Sequence, residues 1–337
     1  MKKHKVGIIG CGVILPRHIE SIESNDNFEL VSLCDIQEDL VKETSKKYNT
    51  NHFTNYKEMI KNSDINFVTI ATPNSLHYEQ AIFAMENGCD VLIEKPVSFS
   101  KKEILELIEI SKKNNRKAYC VLQVRLNPTV EFLKEILFNN ILGDIRSVNF
   151  IQRWQRPVEY FTGWRSYPKI GGGTLYEVGI HYLDIIQHVF GQPIVHSSKI
   201  YKTKHVSVDI EDTIYSILDF GNFGGTCEVT IAAEPSNLEC SISVLGSNGF
   251  VKIGGKSLNV IESGTFLSYG HQKEFERIKK KYSISVEPNN YGSYQGSCPN
   301  HPYVYQNLNQ FKLEESINVI ELIEEIYNKS NIKYNRI

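Results

Sequence analysis

Residues 171–188, GGGTLYEVGIHYLDIIQH, carry Glu177, His181, Asp184 and His188. Steps of four, three and four residues would set all four side chains on one face of an α-helix. A helix face is usually apolar and core-seeking, so a face of two acids and two imidazoles admits three readings: a metal site, an acid/base site, or a polar helix surface. Glu, His and Asp at helical spacing can ligate zinc or iron. An imidazole such as His181 can also exchange a proton near neutral pH. A second stretch with chemistry is EKP, Glu94–Lys95–Pro96, directly after the strand-like DVLI. Open parallel sheets collect ligands outside the carboxyl ends of their strands, which aims Lys95 at such a crevice.

A third stretch, VGIIGCGVIL, places Gly10 and Gly12 after a strand-like run and before a candidate helix that begins with Pro16. Glycines there let backbone N–H groups approach a pyrophosphate at a helix N-terminus. The third glycine of that fingerprint is replaced by Leu15, so the helix must stand off the strand or start later. Asp35 ends the next strand-like run, LVSLCD, about 20 residues beyond the glycine turn, where a carboxylate accepts hydrogen bonds from a ribose diol. It would repel a 2′-phosphate and no arginine follows it closely, so NAD(H) is expected over NADP(H).

The elements that must position these groups form two sets. KVGIIG, FELVSLCD, INFVTIAT, CDVLIEKP and KAYCVLQ are strand-like and alternate with helical stretches, which predicts a parallel sheet covered by helices on both faces. Near Gln123 the rhythm changes to a helix, PTVEFLKEILFNN, then IRSVNFIQRWQR, the 171–188 helix and a succession of alternating runs joined by Gly and Asn turns. That pattern predicts an α+β domain with a mostly antiparallel sheet. The expected division is therefore 1–122 and 123–337, the latter closing with the helical EESINVIELIEEIYNKS. The aromatic NNYGSYQGSCPNHPYVY is expected to be an ordered binding loop, since exposed tyrosines are costly.

A chain of 337 residues exceeds one usual domain, and 41% hydrophobic with 23% charged residues is ordinary for a globular protein. With 37 basic and 39 acidic residues there is no global attraction to nucleic acid or anionic membrane. No apolar run approaches a bilayer span, and MKKHKVGIIGCG looks like a first strand and not a signal peptide. Seven cysteines without close pairing suit buried thiols in a reducing cytoplasm.

GIIGCG, ATPNSLH, EKP and GGG…GIHYLD, in this order and spacing, resemble the glucose-fructose oxidoreductase / inositol dehydrogenase / MocA family over nearly the whole chain. The resemblance implies an NAD(P)-dependent oxidoreductase, a Rossmann domain followed by an open-sheet domain, and a homo-oligomer, dimer or tetramer, built through that sheet. It makes Lys95 and His181 catalytic, with Glu177 at a position that is often Asp, one methylene shorter. It also implies a cis bond between Lys95 and Pro96. Cofactor contacts would come from Gly10, Gly12, Val13, Ile14, Asp35, Ile36, Thr72, Pro73, Asn74, His77, Glu94, Lys95, Gln123, Trp164 and Arg165.

Oxidising a secondary alcohol requires loss of the hydroxyl proton as hydride leaves carbon. His181 suits the base, and Lys95 can hydrogen-bond the same oxygen and stabilise developing charge. This favours acid/base chemistry over a metal at 177–188, since the cofactor already carries the reaction. QVRLNPTVEFLKE, RWQRPVEYFTGWR, DIEDTIYSILDF, CEVTIAAEPSNLECSISVLGSNGFVKIGG and NHPYVY resemble the branch of the family that oxidises nucleotide sugars at the 3-hydroxyl. That implies UDP-N-acetylglucosaminuronic acid as substrate, in bacterial surface-polysaccharide synthesis, with 2-oxoglutarate as a candidate reoxidant of retained NADH. Lys95, Arg125, Arg156, Tyr160, Glu177, His181, Tyr294 and His301 are then the substrate candidates, and Arg153 and Arg165 add to the basic cluster. Trp164 could stack on a ring or sit in a core. The alternatives are a dehydrogenase of UDP-N-acetylglucosamine or of a free sugar or polyol, and a non-catalytic NAD-bound scaffold.

Overall fold

Six parallel strands, β1 (His4–Ile9), β2 (Phe28–Cys34), β3 (Asn51–Phe53), β4 (Phe67–Ile70), β5 (Asp90–Ile93) and β6 (Ala118–Cys120), form one sheet in the order β3-β2-β1-β4-β5-β6. The computed structural model describes residues 3–283, 290–291, 294–295 and 298–331. β4 is buried along its whole length, and β1 and β5 nearly so, as strands covered by helices on both faces must be. The helices are α1 (Leu15–Glu23), α2 (Glu38–Tyr48), α3 (Tyr56–Asn62), α4 (His77–Glu86) and α5 (Lys101–Lys113). α5 shows the local logic: the Ser100 hydroxyl caps it by accepting from the Lys102 N–H, and Ile104, Leu107 and Ile108 form its buried stripe. β3 and α3 add to the elements expected from the sequence; three residues are too few to give an alternating pattern.

A second, seven-stranded sheet contains β7 (Ile145–Arg153), β8 (Ile194–Tyr201), β9 (Thr213–Asp219), β10 (Gly224–Thr230), β11 (Glu239–Gly246), β12 (Gly249–Gly254) and β13 (Val260–Phe266). Its order is β13-β12-β11-β7-β10-β9-β8, antiparallel throughout except for the parallel pair β7–β10. With it belong α6 (Pro128–Phe138), α7 (Pro168–Gly171), α8 (Ile180–Phe190) and α9 (Tyr269–Lys281). Every residue of α8 from Ile180 to Gln187 is buried, and Tyr182, Leu183 and Ile186 lie against β7, β10 and β11. The other face of the sheet exposes Tyr201, Tyr215, Ile217 and Leu245.

The chain divides into residues 1–122 with 300–320, and residues 123–299 with 321–337. Residues 300–320, including α10 (His301–Gln306) and the start of α11 (Ile317–Asn328), pack with the first unit, whereas the expected division set them with the second. Tyr119 bridges Lys312 and the Cys120 N–H donates to the Phe311 carbonyl, so the late segment closes the β6 edge. All seven cysteines are free and buried, and among the described residues no helix is long and apolar enough to cross a membrane.

Candidate active site

The first unit supplies a nucleotide cradle at the switch point between β1 and β4, where the strand order reverses. Gly10 has φ +104°, and a Cβ on it would fall 2.4 Å from the Ala71 carbonyl oxygen, so only glycine fits this turn. At Gly12 a Cβ would meet nothing within 4 Å, which leaves open space beside the start of α1. α1 begins at Leu15 itself, whose side chain is buried, with Pro16 in its first turn. Asp35 ties this turn to the end of β2: one carboxylate oxygen accepts the Cys11 N–H at 2.8 Å and the other the Gln37 N–H at 2.9 Å. Burial and that neighbouring carboxylate push the Cys11 thiol up to about 12. Val13 and Ile36 stand 55% and 89% exposed at the adjacent strand ends, apolar surface that a flat base would cover.

The remaining loops of this unit are cross-linked. Thr72 donates to Gln80 at 2.7 Å, and the buried His77 places one ring nitrogen 2.7 Å from the Pro96 carbonyl and the other 2.9 Å from that of Thr72. A neutral ring can donate to only one of them, and burial outweighs both carbonyls in holding His77 below its ordinary pKa. Pro73 and Asn74 open the short turn before α4, with Asn74 buried. The Lys95–Pro96 peptide is cis. Glu94 is buried beneath Lys95: its Oε2 accepts the Lys95 N–H at 3.1 Å, and its Oε1 lies 3.1 Å from His18 Nε2 and 3.3 Å from His301 Nε2. His301, expected among substrate contacts, is thus 1% exposed and set against Glu94 within the first unit.

These groups fix the sign of a pH effect. Burial lowers His77 and His301 from an ordinary 6.5, and Glu94 lies well below 4.5 because the two histidines overcome the opposing effect of burial. The native state therefore binds fewer protons than the unfolded chain, so stability is full above about pH 6.5 and is lost as pH falls. Thermal melts between pH 7.5 and 5 should show a falling Tm; a flat or rising Tm would contradict these environments.

In the second unit the expected continuous α-helix is broken. Residues Leu175–Gly179 form a π-helical turn that leads into α8, and positive φ at Gly172 and Gly173 turns the chain into it. The wider turn shifts the register on which a single four-residue face depended. Glu177 turns to Tyr160 Oη, which donates at 2.8 Å, and to Arg165 Nε at 2.9 Å. Asp184 accepts from Nε and Nη2 on one edge of the Arg125 guanidinium, both at 2.7 Å, and from Gln187 at 2.8 Å. His188 is half-buried beside Lys134, and His181 is 7% exposed. Glu177, Asp184 and His188 thus answer to different partners. The trio of potential metal ligands close together among the described residues is instead His18, Glu94 and His301.

Around Glu177 lies a cationic and aromatic ladder. Arg165 sits 4.2 Å from the Trp164 ring and 4.9 Å from that of Tyr160, and Arg156 sits 5.3 Å from Tyr160 and 4.8 Å from Trp154. Burial would lower the Arg165 pKa, but the adjoining Tyr160 and Glu177 raise it instead. Arg156 donates to Asn237 at 3.3 Å, and its own carbonyl oxygen lies 2.9 Å from Nε2 of the buried His205. Arg153 pairs with Glu228 and Glu239 on β10 and β11, which places it on the sheet. Gln123 is buried in a short turn together with Arg125. Ile14 precedes α1. Tyr294 lies in a two-residue strand paired with 290–291, and its side chain falls outside the described residues, as does most of its loop.

Two supporting groups were missed in the sequence. Glu211 is fully buried and accepts the Thr174 N–H at 2.9 Å, while Tyr327 Oη donates to Glu211 and receives the Leu175 N–H at 3.3 Å. Together they hold the start of the π turn. The only signal was an acid pair, IEDT, at the head of an otherwise apolar strand.

Residues 4–122 match the model for the oxidoreductase family with an NAD-binding Rossmann fold, and residues 130–252 match the GFO/IDH/MocA C-terminal domain. The chain belongs to the GFO/IDH/MocA oxidoreductase family. As a family member it is an NAD-dependent oxidoreductase, and the glycine turn, Asp35 and the apolar strand ends fit that cofactor. Oxidoreductase P35 of Formosa agariphila is 29% identical over 81% of this chain and 87% of its own. Glucose-6-phosphate 3-dehydrogenase of Bacillus subtilis is 27% identical over 81% and 73%. A WlbA dehydrogenase from Chromobacterium violaceum, crystallised with NADH and UDP-GlcNAcA, has a TM-score of 0.84 and 26% identity, covering 98% of this chain and 94% of that one.

Replacing Asp35 with Asn keeps an oxygen acceptor but removes the charge expected on the ribose diol. A hydrogen bond to a charged group contributes about 1.5–3 kcal/mol, so the NADH Kd should rise about 10- to 100-fold. Fluorescence titration of NADH measures it; an unchanged Kd would remove Asp35 from the cofactor site.

Proposed function

We propose that the chain oxidises the 3-hydroxyl of a nucleotide sugar, with UDP-N-acetylglucosaminuronic acid the favoured substrate, in the synthesis of bacterial surface polysaccharide. The observation that carries this reading is the likeness, over 98% of the chain, to a WlbA dehydrogenase crystallised with NADH and UDP-GlcNAcA. The position of attack is supported by a relative that is a 3-dehydrogenase of glucose 6-phosphate.

Bound NAD supplies the acceptor for the hydride that leaves the sugar carbon. His181 is the base for the sugar hydroxyl proton, and Lys95 is a hydrogen-bond donor that stabilises negative charge developing on oxygen. Arg165 donates to Glu177 and fixes it one turn before His181. Because the Arg125 fork is taken up by Asp184, anion binding rests on Arg156 and Arg165, whose guanidinium groups already lie over aromatic rings. Association of copies through the exposed face of the second sheet, with Tyr201, Tyr215 and Ile217, belongs to the same reading.

The test is purified protein with NAD and a panel of UDP-N-acetylglucosaminuronic acid, UDP-N-acetylglucosamine, glucose 6-phosphate and free polyols, following NADH absorbance. A parallel series contains 2-oxoglutarate, so that tightly held NADH cannot mask turnover. The acidic UDP-sugar should give the highest kcat/KM. Turnover of a free polyol or sugar phosphate with silence toward every nucleotide sugar overturns the proposal.

A further inference from the structure

The cluster beneath Lys95 is joined by two residues that arrive some 200 positions later in the sequence. Tyr305 Oη lies 2.9 Å from the Thr69 hydroxyl and 3.0 Å from His18 Nδ1. His18 Nε2 lies 3.1 Å from Glu94 Oε1, and His301 Nε2 approaches the same oxygen at 3.3 Å. His18 and His301 are 0% and 1% exposed, Tyr305 2%, and Glu94 7%. One assignment of protons satisfies the chain: Thr69 donates to Tyr305, Tyr305 to His18 Nδ1, and His18 Nε2–H to Glu94. The other Glu94 oxygen takes the N–H of Lys95 itself.

A buried carboxylate whose Oε1 is hydrogen-bonded to His18 Nε2, with His301 Nε2 in close ion-pair range of the same oxygen, cannot rotate without leaving His18 unpaired and moving its charge away from His301. Its Oε2 is therefore fixed, and with it the peptide that carries the Lys95 side chain. We propose that His18, His301 and Tyr305 are positioning residues for Lys95, acting through Glu94, so that the late segment at 300–305 sets the catalytic lysine of the first unit. The inference rests on Lys95 being catalytic. It gives His301 a role in kcat and none in substrate affinity.

The experiment is a set of double-mutant cycles, with kcat, substrate KM and NADH Kd measured for the sugar that the panel identifies. His301→Phe keeps bulk and removes both ring nitrogens, whereas Tyr305→Phe removes only a hydroxyl and serves if the first variant does not fold. His301→Phe should lower kcat about tenfold or more and Tyr305→Phe about three- to tenfold, with KM and Kd changed less than about threefold. His301→Gln, which keeps an N–H donor, should recover most of the loss. In a Lys95→Met background, whose residual rate is read at high enzyme concentration, the same changes should lower kcat less than about twofold further.

An undiminished drop in that background overturns the proposal, because the residues would then act independently of Lys95. Stoichiometric zinc or manganese in the purified protein, lost in His301→Phe, also overturns it, by making His18, Glu94 and His301 a ligand set. Lys95→Met with wild-type kcat removes the catalytic reading of Lys95 itself and this inference with it. The first two outcomes leave that reading standing.

Discussion

His181→Asn and Lys95→Met should each lower kcat by about 10²- to 10⁴-fold, the range supplied by positioned proton transfer and by stabilisation of a developing oxyanion. The two losses should differ in character. Without His181 the remaining rate should climb with pH through the range in which an imidazole would have titrated, since hydroxide then replaces the missing base. Without Lys95, His181 still serves as the base, so the rate should be low at every pH and show no such hydroxide-driven climb. Stopped-flow reduction of NAD, with NADH affinity measured separately, distinguishes a chemical defect from a binding defect. Retention of more than about a tenth of wild-type kcat by either variant would place the proton transfer or charge stabilisation on another group.

The second large effect is on stability. Arg125 and Asp184 are 5% and 1% exposed and meet through two 2.7 Å bonds, so neither has water to fall back on. Removing one member strands the other as a buried charge, at a cost of about 3–5 kcal/mol. Arg125→Met and Asp184→Leu should each lower the urea midpoint accordingly, whereas the double variant should recover much of the loss because two apolar groups replace the pair. Additive losses in the double variant would mean that the pair is not the stabilising unit. Asp184 lies one turn beyond His181 on α8, so the pair also pins the helix that presents the imidazole.

The strand–helix alternation of the first unit was legible because a parallel sheet needs continuous apolar runs separated by amphipathic helices. The three-residue β3 left no such mark. In the second unit β8, β13 and α9 were not anticipated: β13 has no fully buried residue, and α9 buries just Phe275 and Ile278 among many charges. Among candidate site residues, the places of Gly10, Asp35 and Lys95 at strand ends were legible. The division of labour along 177–188 was not, because the spacing argument presupposed an uninterrupted 3.6-residue period and the π turn departs from it. Partners such as Arg125 for Asp184 and His301 for Glu94 stand 59 and more than 200 positions away, and nothing in the local pattern encodes such meetings. His301 was recognisable as a chemically able residue; its burial beneath a lysine was not.

The return of residues 300–320 bears on how the protein is made. A ribosome that has delivered the first 122 residues has released every strand of the parallel sheet, yet not the pieces that hydrogen-bond to Cys120 and fill the space around His18. The amino-terminal unit must wait, incompletely closed, while the other sheet is synthesised, and a gene fragment cut at the apparent domain border yields a polypeptide with an open seam.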